Sequence, residues 1–316
     1  MGKQVGFTLI ELMIALSLGL IIVAAAFLML LSGQKNVALQ KSSSSLQDDQ
    51  NFGLSYIAKN IRQANLFNPT ATMTSASSYG GIVFGTANLD SHLRLASDFT
   101  ANFSTISGGA SNMRIKNGTS FTDVINDQLV IQYRPAEIGG YDCEGTTITS
   151  TDVYILERYF VRTDANGAGT NAERSALACA ASRYSASLSS ATDLAEANAG
   201  VYGSGQIIMK RVDLFNVRFL TQTSAGSRYM TVAQYKTAAT AAAAAVPVSQ
   251  PPRILAVQLG IIARAADLTT ERAVSTTQEF SFFGQTLTQK STFPNRYIRI
   301  PIVQTIALRN ALGARS

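Results

Sequence analysis

The sequence predicts an α+β fold in which one long N-terminal helix is followed by an antiparallel β-rich head of one or two lobes. Three observations predict it. The run from Leu12 to Leu31 carries no charged residue, and at roughly twenty residues it is long enough to cross a bilayer as a helix. Beyond it, Leu46, Leu54, Ile57, Ile61 and Ala64 recur at intervals that put them on one helical face. After Asn68-Pro69 the pattern turns to short runs rich in β-branched and aromatic residues.

The helix is read from Phe7 to about Leu66, because a proline ring disfavours helical geometry in the residue before it and Asn68-Pro69 stops the run. Gly33 and the run Ser42 to Ser45 are weak points where the helix either bends or divides in two. The expected strands are Leu129 to Tyr133, Asp152 to Arg162, Ile207 to Gln222, Ile254 to Ala265 and Tyr297 to Leu308. Val153, Ile155, Tyr159 and Val161 alternate onto one face, as do Phe215, Val217 and Phe219, so one sheet face is expected to pack on the amphipathic half of the helix. Three stretches read as insertions: the turn Asp164 to Gly169, the alanine/serine run Ser175 to Ser190, and Thr237 to Ala245. The last is nearly all alanine, with helical propensity but no apolar face, and is expected as a loop.

Composition sets bounds. The 316 residues are 46% hydrophobic, so removing a helical anchor leaves roughly 250 for a head with a sizeable core. The formal charge of +6 comes from a chain only 15% charged. It is concentrated at the far end, where no acid follows Glu279 but Lys290, Arg296, Arg299, Arg309 and Arg315 do. Solvated strand ends account for this, and contact with an anionic surface or nucleic acid stays open.

Catalytic chemistry finds little footing. His92, the only histidine, lies in Asp90-Ser91-His92, and a relay of those types is defined by geometry rather than adjacency. The turn Asp164 to Gly169 has the wrong spacing of acids for an EF-hand. Two isolated cysteines and one histidine cannot build a tetrahedral metal site. The chain is therefore expected to be no enzyme and to hold no cofactor.

The N-terminus carries the sharpest signal. Met1 to Gly6 form a short polar leader with Lys3, lacking the three regions of a secretory signal peptide. Then come Phe7-Thr8-Leu9-Ile10-Glu11, with a carboxylate at the start of the apolar run. Gly6 followed by this segment resembles the class III signal of type IV prepilins and type II secretion pseudopilins. Further segments are similar to the PilW group of large minor pilins: Val212 to Phe219, Val257 to Arg264, Arg296-Tyr297-Ile298-Arg299 and Ala307-Leu308-Arg309-Asn310.

The resemblance implies a type IV pilin-like fold and a definite life history. A prepilin peptidase cuts between Gly6 and Phe7 and methylates the Phe7 amine. Residues 1–6 are then the leader, 7–32 the transmembrane helix, 33–68 its amphipathic continuation and 69–316 a periplasmic head. Glu11 attracts the amine of a neighbouring subunit during docking. The implied protein is a single-pass inner-membrane subunit, assembled into an extracellular pilus and priming its growth near the tip. Twitching motility, adhesion and DNA uptake are the associated processes. Partners would be other minor pilins, the major pilin, the prepilin peptidase, the inner-membrane assembly platform and a tip adhesin. A J-type pseudopilin of type II secretion is the rival within the class; a tip adhesin or DNA-capture module is the rival outside it. An exported head lies in an oxidising compartment, where Cys143 and Cys179 read as one disulfide closing a loop of roughly 36 residues, against the alternative of two free thiols.

Overall fold

The computed structural model describes residue 6 and residues 8–94, 103–193, 203–268, 278–293 and 296–311. Two compact units divide after Ser45. A single helix, α1 (Leu9–Ile61), runs through Gly33 and the four serines without interruption, so the reading of two helices separated by a serine linker does not hold.

Within the second unit, the helical stripe is buried as its spacing predicts. Leu46, Leu54, Ile57, Ile61 and Ala64 are all at most 2% exposed. The helix, however, ends at Ile61, short of the expected Leu66 and of residue 68, so that 62–68 do not continue it. Gln63 and Ala64 already bond three residues back, to the carbonyls of Asn60 and Ile61. Asn65 adopts φ +65°, where an asparagine is tolerated as a helix terminator. A long-range bond decides the stop, for Asn65 N donates to Gln132 O at 3.2 Å in the sheet.

The strands are β1 (Leu93–Arg94), β2 (Ile106–Asn117), β3 (Ser120–Tyr133), β4 (Val153–Thr163), β5 (Ser175–Ser185), β6 (Thr192–Asp193), β7 (Gln206–Lys210), β8 (Val212–Thr223), β9 (Gly226–Thr231), β10 (Arg253–Leu268), β11 (Glu279–Phe282), β12 (Gln285–Gln289) and β13 (Tyr297–Ala307). Seven form an antiparallel sheet in the order β11-β12-β2-β3-β4-β5-β7, and four form another in the order β13-β10-β8-β9. β1 and β6 make a short parallel pair. With the long helix first and the sheets after it, the fold is α+β.

One hydrophobic cluster joins the stripe of α1 to both large sheets, through Ile131, Ile155, Tyr159 and Leu177 of the first and Phe215, Val217, Val257 and Ile261 of the second. The face predicted from Val153, Ile155, Tyr159 and Val161 does turn to this core. The opposite face is buried as well, which corrects the expectation of a one-sided sheet. Val130, Tyr154, Leu156 and Tyr184 pack there under Val83, Leu89, Leu93 and Phe103, and the rings of Tyr79, Tyr154 and Tyr184 stack at 4.8 and 5.3 Å.

Three other expectations are corrected. The run from Ser175 is no insertion but strand β5, paired along its length with β4 and buried from Ala176 to Ser182. Its small side chains suit a strand flanked on both faces. The alanine run is no loop but the body of helix α2 (Val232–Ala244). Thr231 Oγ1 accepts from Gln234 N at 3.2 Å while Gln234 Oε1 accepts from Thr231 N at 3.0 Å, a reciprocal cap that satisfies two otherwise orphaned donors. Tyr235 then anchors the helix, donating its hydroxyl to Pro252 O at 3.1 Å. Finally, the single strand read from Ile207 to Gln222 is two strands in different sheets. The chain turns at Arg211, φ +59°, between β7 and β8.

Where β9 ends, β8 would expose unpaired donors toward the other sheet. Two consecutive side chains of β3 take them: Asn126 Oδ1 accepts from Phe215 N at 2.9 Å and Asp127 Oδ2 accepts from Val217 N at 2.7 Å. Side chains thus complete the hydrogen bonding where the two large sheets meet.

Candidate functional site

The candidate assembly segment lies at the start of α1. Gly6 is exposed; Met1 to Val5 and Phe7 lie outside the described residues. Thr8 caps the helix, since Glu11 N donates to Thr8 O at 3.1 Å and to Thr8 Oγ1 at 3.3 Å. Glu11 therefore sits in the first turn, where a carboxylate complements the positive end of the helix dipole. From here the helix is apolar enough to cross a membrane, and none of that window is buried within the protein. Burying such a surface in hydrocarbon is favourable, but a carboxylate carried with it is costly unless a cation meets it.

Within the head, Cys143 and Cys179 are joined by a disulfide with a Cα–Cα separation of 6.1 Å. It ties the loop before β4 to the middle of β5. Beside it, Glu157 of β4 is fully buried, accepting hydrogen bonds from Tyr133 Oη at 3.0 Å, Cys143 N at 3.0 Å and Tyr159 Oη at 2.6 Å. Asn60 of α1 donates in turn to Tyr159 Oη at 3.1 Å, so the network reaches the helix. Burial pushes the Glu157 carboxyl up to about 7, against the lowering effect of its tyrosine donors. The same network pushes the Tyr159 phenol well above its ordinary range, through burial first and the Glu157 charge second.

The later segments singled out in the sequence converge. Asp213, Arg264 and Arg299, one from each of three such segments, form a triad whose side chains are at most 1% exposed. Arg264 Nη1 bonds Asp213 Oδ1, and Arg299 Nε donates to Asp213 Oδ2 at 2.7 Å. Asn112 Nδ2 adds a third bond to Asp213 at 2.7 Å. Asn310, from the fourth segment, donates to Arg62 O at 3.1 Å and Ala64 O at 3.3 Å at the end of α1. These contacts tie the late segments to one another and to the turn after α1.

The weaker candidates resolve simply. His92 Nδ1 lies 2.9 Å from Asp90 Oδ1 and Ser91 is exposed. Burial would raise the Asp90 carboxyl, but bonds from Tyr79 and His92 outweigh it and hold the group below its ordinary value. In the Asp164 turn, the carboxylates serve local donors: Asp164 Oδ1 accepts from Asn166 N at 3.0 Å and Glu173 Oε2 from Thr170 N at 2.8 Å. Glu157 escaped the sequence reading, which placed Tyr159 only on a buried strand face, although an acid inside a strand run otherwise fit for burial is a detectable signal.

Comparison with known proteins bears on both ends of the chain. The family model for the prokaryotic N-terminal methylation motif matches residues 1–27. That for PilW, the type IV pilus-assembly protein W, matches residues 158–310, which contain Asp213, Arg264, Arg299 and Asn310. No curated protein sequence matches the chain. Among solved structures, a type IV-like pilin from Thermus thermophilus aligns at 10% identity with a TM-score of 0.35, over 84% of this chain and 96% of that one. The chain thus matches the N-terminal methylation motif at its start and the PilW family model over the later part of its head.

Proposed function

We propose that this protein is a minor pilin that primes assembly of type IV pili and is incorporated near the tip. The observation that carries the reading is the joining, in one chain, of the methylation motif with its Gly6 and Glu11 to a large head containing a PilW region. In this reading the peptidase cuts after Gly6 and methylates Phe7. Residues 7–32 hold the protein in the inner membrane, and the head stands in the periplasm. Glu11 draws the amine of a neighbour into register during docking, and the resulting ion pair offsets the cost of a carboxylate in hydrocarbon. A head of this size suits a low-copy subunit better than every position of a repetitive shaft. Its partners are other minor pilins, the major pilin, the prepilin peptidase and the assembly platform, and its role is structural rather than catalytic.

The test is Gly6→Val, examined by N-terminal sequencing of membrane protein and by immunodetection in sheared pili. The leader-bearing form should accumulate in the membrane and the protein should vanish from pili. A mature N-terminus at Phe7 in that variant overturns the prepilin reading.

A further inference from the structure

A cleft of about 280 Å³ opens where the two large sheets meet, and one of its walls is unusual. Arg218 of β8 lies with its guanidinium carbon 4.3 Å above the ring of Phe283. That ring contact is its interaction among the described residues; its side chain has neither a hydrogen bond nor a carboxylate partner there. Partial burial with no opposing charge lowers the affinity of the guanidinium for its proton. Its donors are therefore open to a ligand, and it lines the same cleft as Ile115, Val124 and Leu287.

The platform beneath Arg218 is held in place by two features of the backbone. Phe283 and Gly284 form the two-residue turn between β11 and β12, with φ of +53° and +75°. Such a turn favours asparagine or glycine at both positions, so an aromatic in the first is strained. Gly260 of β10 lies directly under it. A methyl group there would fall 2.4 Å from Phe282 Cζ and 2.6 Å from Phe283 Cζ, so glycine is what lets the rings seat. Asp127 also borders the cleft, but its oxygens already accept from Ser107 Oγ at 2.6 Å, Val217 N at 2.7 Å and Asn216 Nδ2 at 3.2 Å. It is committed to joining the sheets and leaves Arg218 unneutralised.

We infer that this cleft binds an organic carboxylate with an apolar body, the carboxylate pairing with the free edge of Arg218 and the body lying against Ile115, Val124 and Leu287. A planar guanidinium stacked on one face presents its N–H edge in a fixed fork, the geometry that matches a carboxylate in two parallel bonds. The pairing supplies the missing counterion, and the apolar wall gives the ligand affinity beyond that of a free anion. This inference is independent of the pilin reading. The carboxylate belongs either to a free small acid or to the C-terminus of a peptide.

The experiment uses the full chain in detergent micelles and fluorine NMR of 3-(4-fluorophenyl)propanoate. Saturable broadening is expected, with the neutral amide of the same acid binding about tenfold more weakly or worse. Arg218→Gln should reduce the acid to the level of the amide, with both proteins in the same micelles so that partitioning cancels. Phe283→Asn, which suits the turn, should weaken the acid while leaving the fold intact by circular dichroism. A peptide ending in a fluorinated phenylalanine is compared with its amidated form; tighter binding of the free-acid peptide than of the small acid assigns a peptide terminus, and the reverse assigns a small acid. Equal binding of acid and amide, or an unchanged acid affinity in Arg218→Gln, overturns the inference.

Discussion

Asn65 and Asn310 tie two ends of the chain together across 245 residues: Asn65 Nδ2 donates to Asn310 O at 3.0 Å, while Asn310 Nδ2 donates to the carbonyls of Arg62 and Ala64 in the turn that follows α1. Asn65 Oδ1 also accepts from Gly81 N at 3.0 Å and from Asn68 Nδ2 at 2.8 Å. The end of the first helix is thus capped by the end of the last described segment. Asn65→Ala should lower head stability by about 2–4 kcal/mol, since several buried partners lose their bonds at once. Asn310→Ala, partly exposed, should cost about 1 kcal/mol. Urea unfolding of the full chain in detergent, followed by near-ultraviolet dichroism of the tyrosines, measures both, and equal effects would show the cap to be misassigned.

Asp213 carries two buried arginines. Asp213→Asn keeps the shape but leaves Arg264 and Arg299 without their shared anion, at a cost of about 3–5 kcal/mol. The expected readout is loss of soluble, protease-resistant head. Wild-type resistance in this variant would mean that the triad contributes little.

The disulfide closes a loop of 36 residues. Replacing both cysteines by serine should cost about 4 kcal/mol in the chain-entropy description. Thiol counting on the folded protein checks the bridge itself, because two alkylatable thiols are incompatible with it.

Glu157 makes stability depend on pH. Its carboxyl titrates at about 7 in the fold against an ordinary value of 4.5, so between those values the folded chain holds a proton that the unfolded chain has released. Stability from this group is full below about pH 4.5, falls as pH rises toward 7, and then levels off. Asp127, which burial pushes up to about 6, acts in the same direction at the lower end of the window. Urea midpoints at pH 5 and pH 8 should differ more in the wild type than in Glu157→Gln. Identical slopes would remove Glu157 from the account.

Glu11→Ala makes the apolar segment more apolar, so insertion and cleavage should proceed normally. On the proposed assembly role, incorporation into pili should fall, because the attraction for a neighbour's amine would be lost. Comparing mutant protein in sheared pili with that in the membrane fraction decides it, and equal incorporation would sink the ion-pair mechanism.

What the sequence determined by itself was whatever depends on neighbours along the chain. Gly6, the carboxylate of Glu11 and the uncharged run after it are readable because their positions along the chain are fixed by the sequence order alone. The stripe from Leu46 to Ala64 was readable because helical periodicity is local, and five strand regions were visible because β-branched and aromatic residues cluster in them. Tertiary structure decided the rest. Asn65 ended α1 early because its backbone meets Gln132, and no local rule contains that bond. Ser175 to Ser185 is a strand because β4 pairs with it along its whole length, although alanine has little preference for sheet. Asp213, Arg264 and Arg299 stand 51 and 86 residues apart from one another's partner, and their charges are tolerable in the core only because folding brings them together. Periodicity reports which face of an element is apolar; which donors and charges meet across sheets is set by register and crossover, and those exist only once the chain has folded.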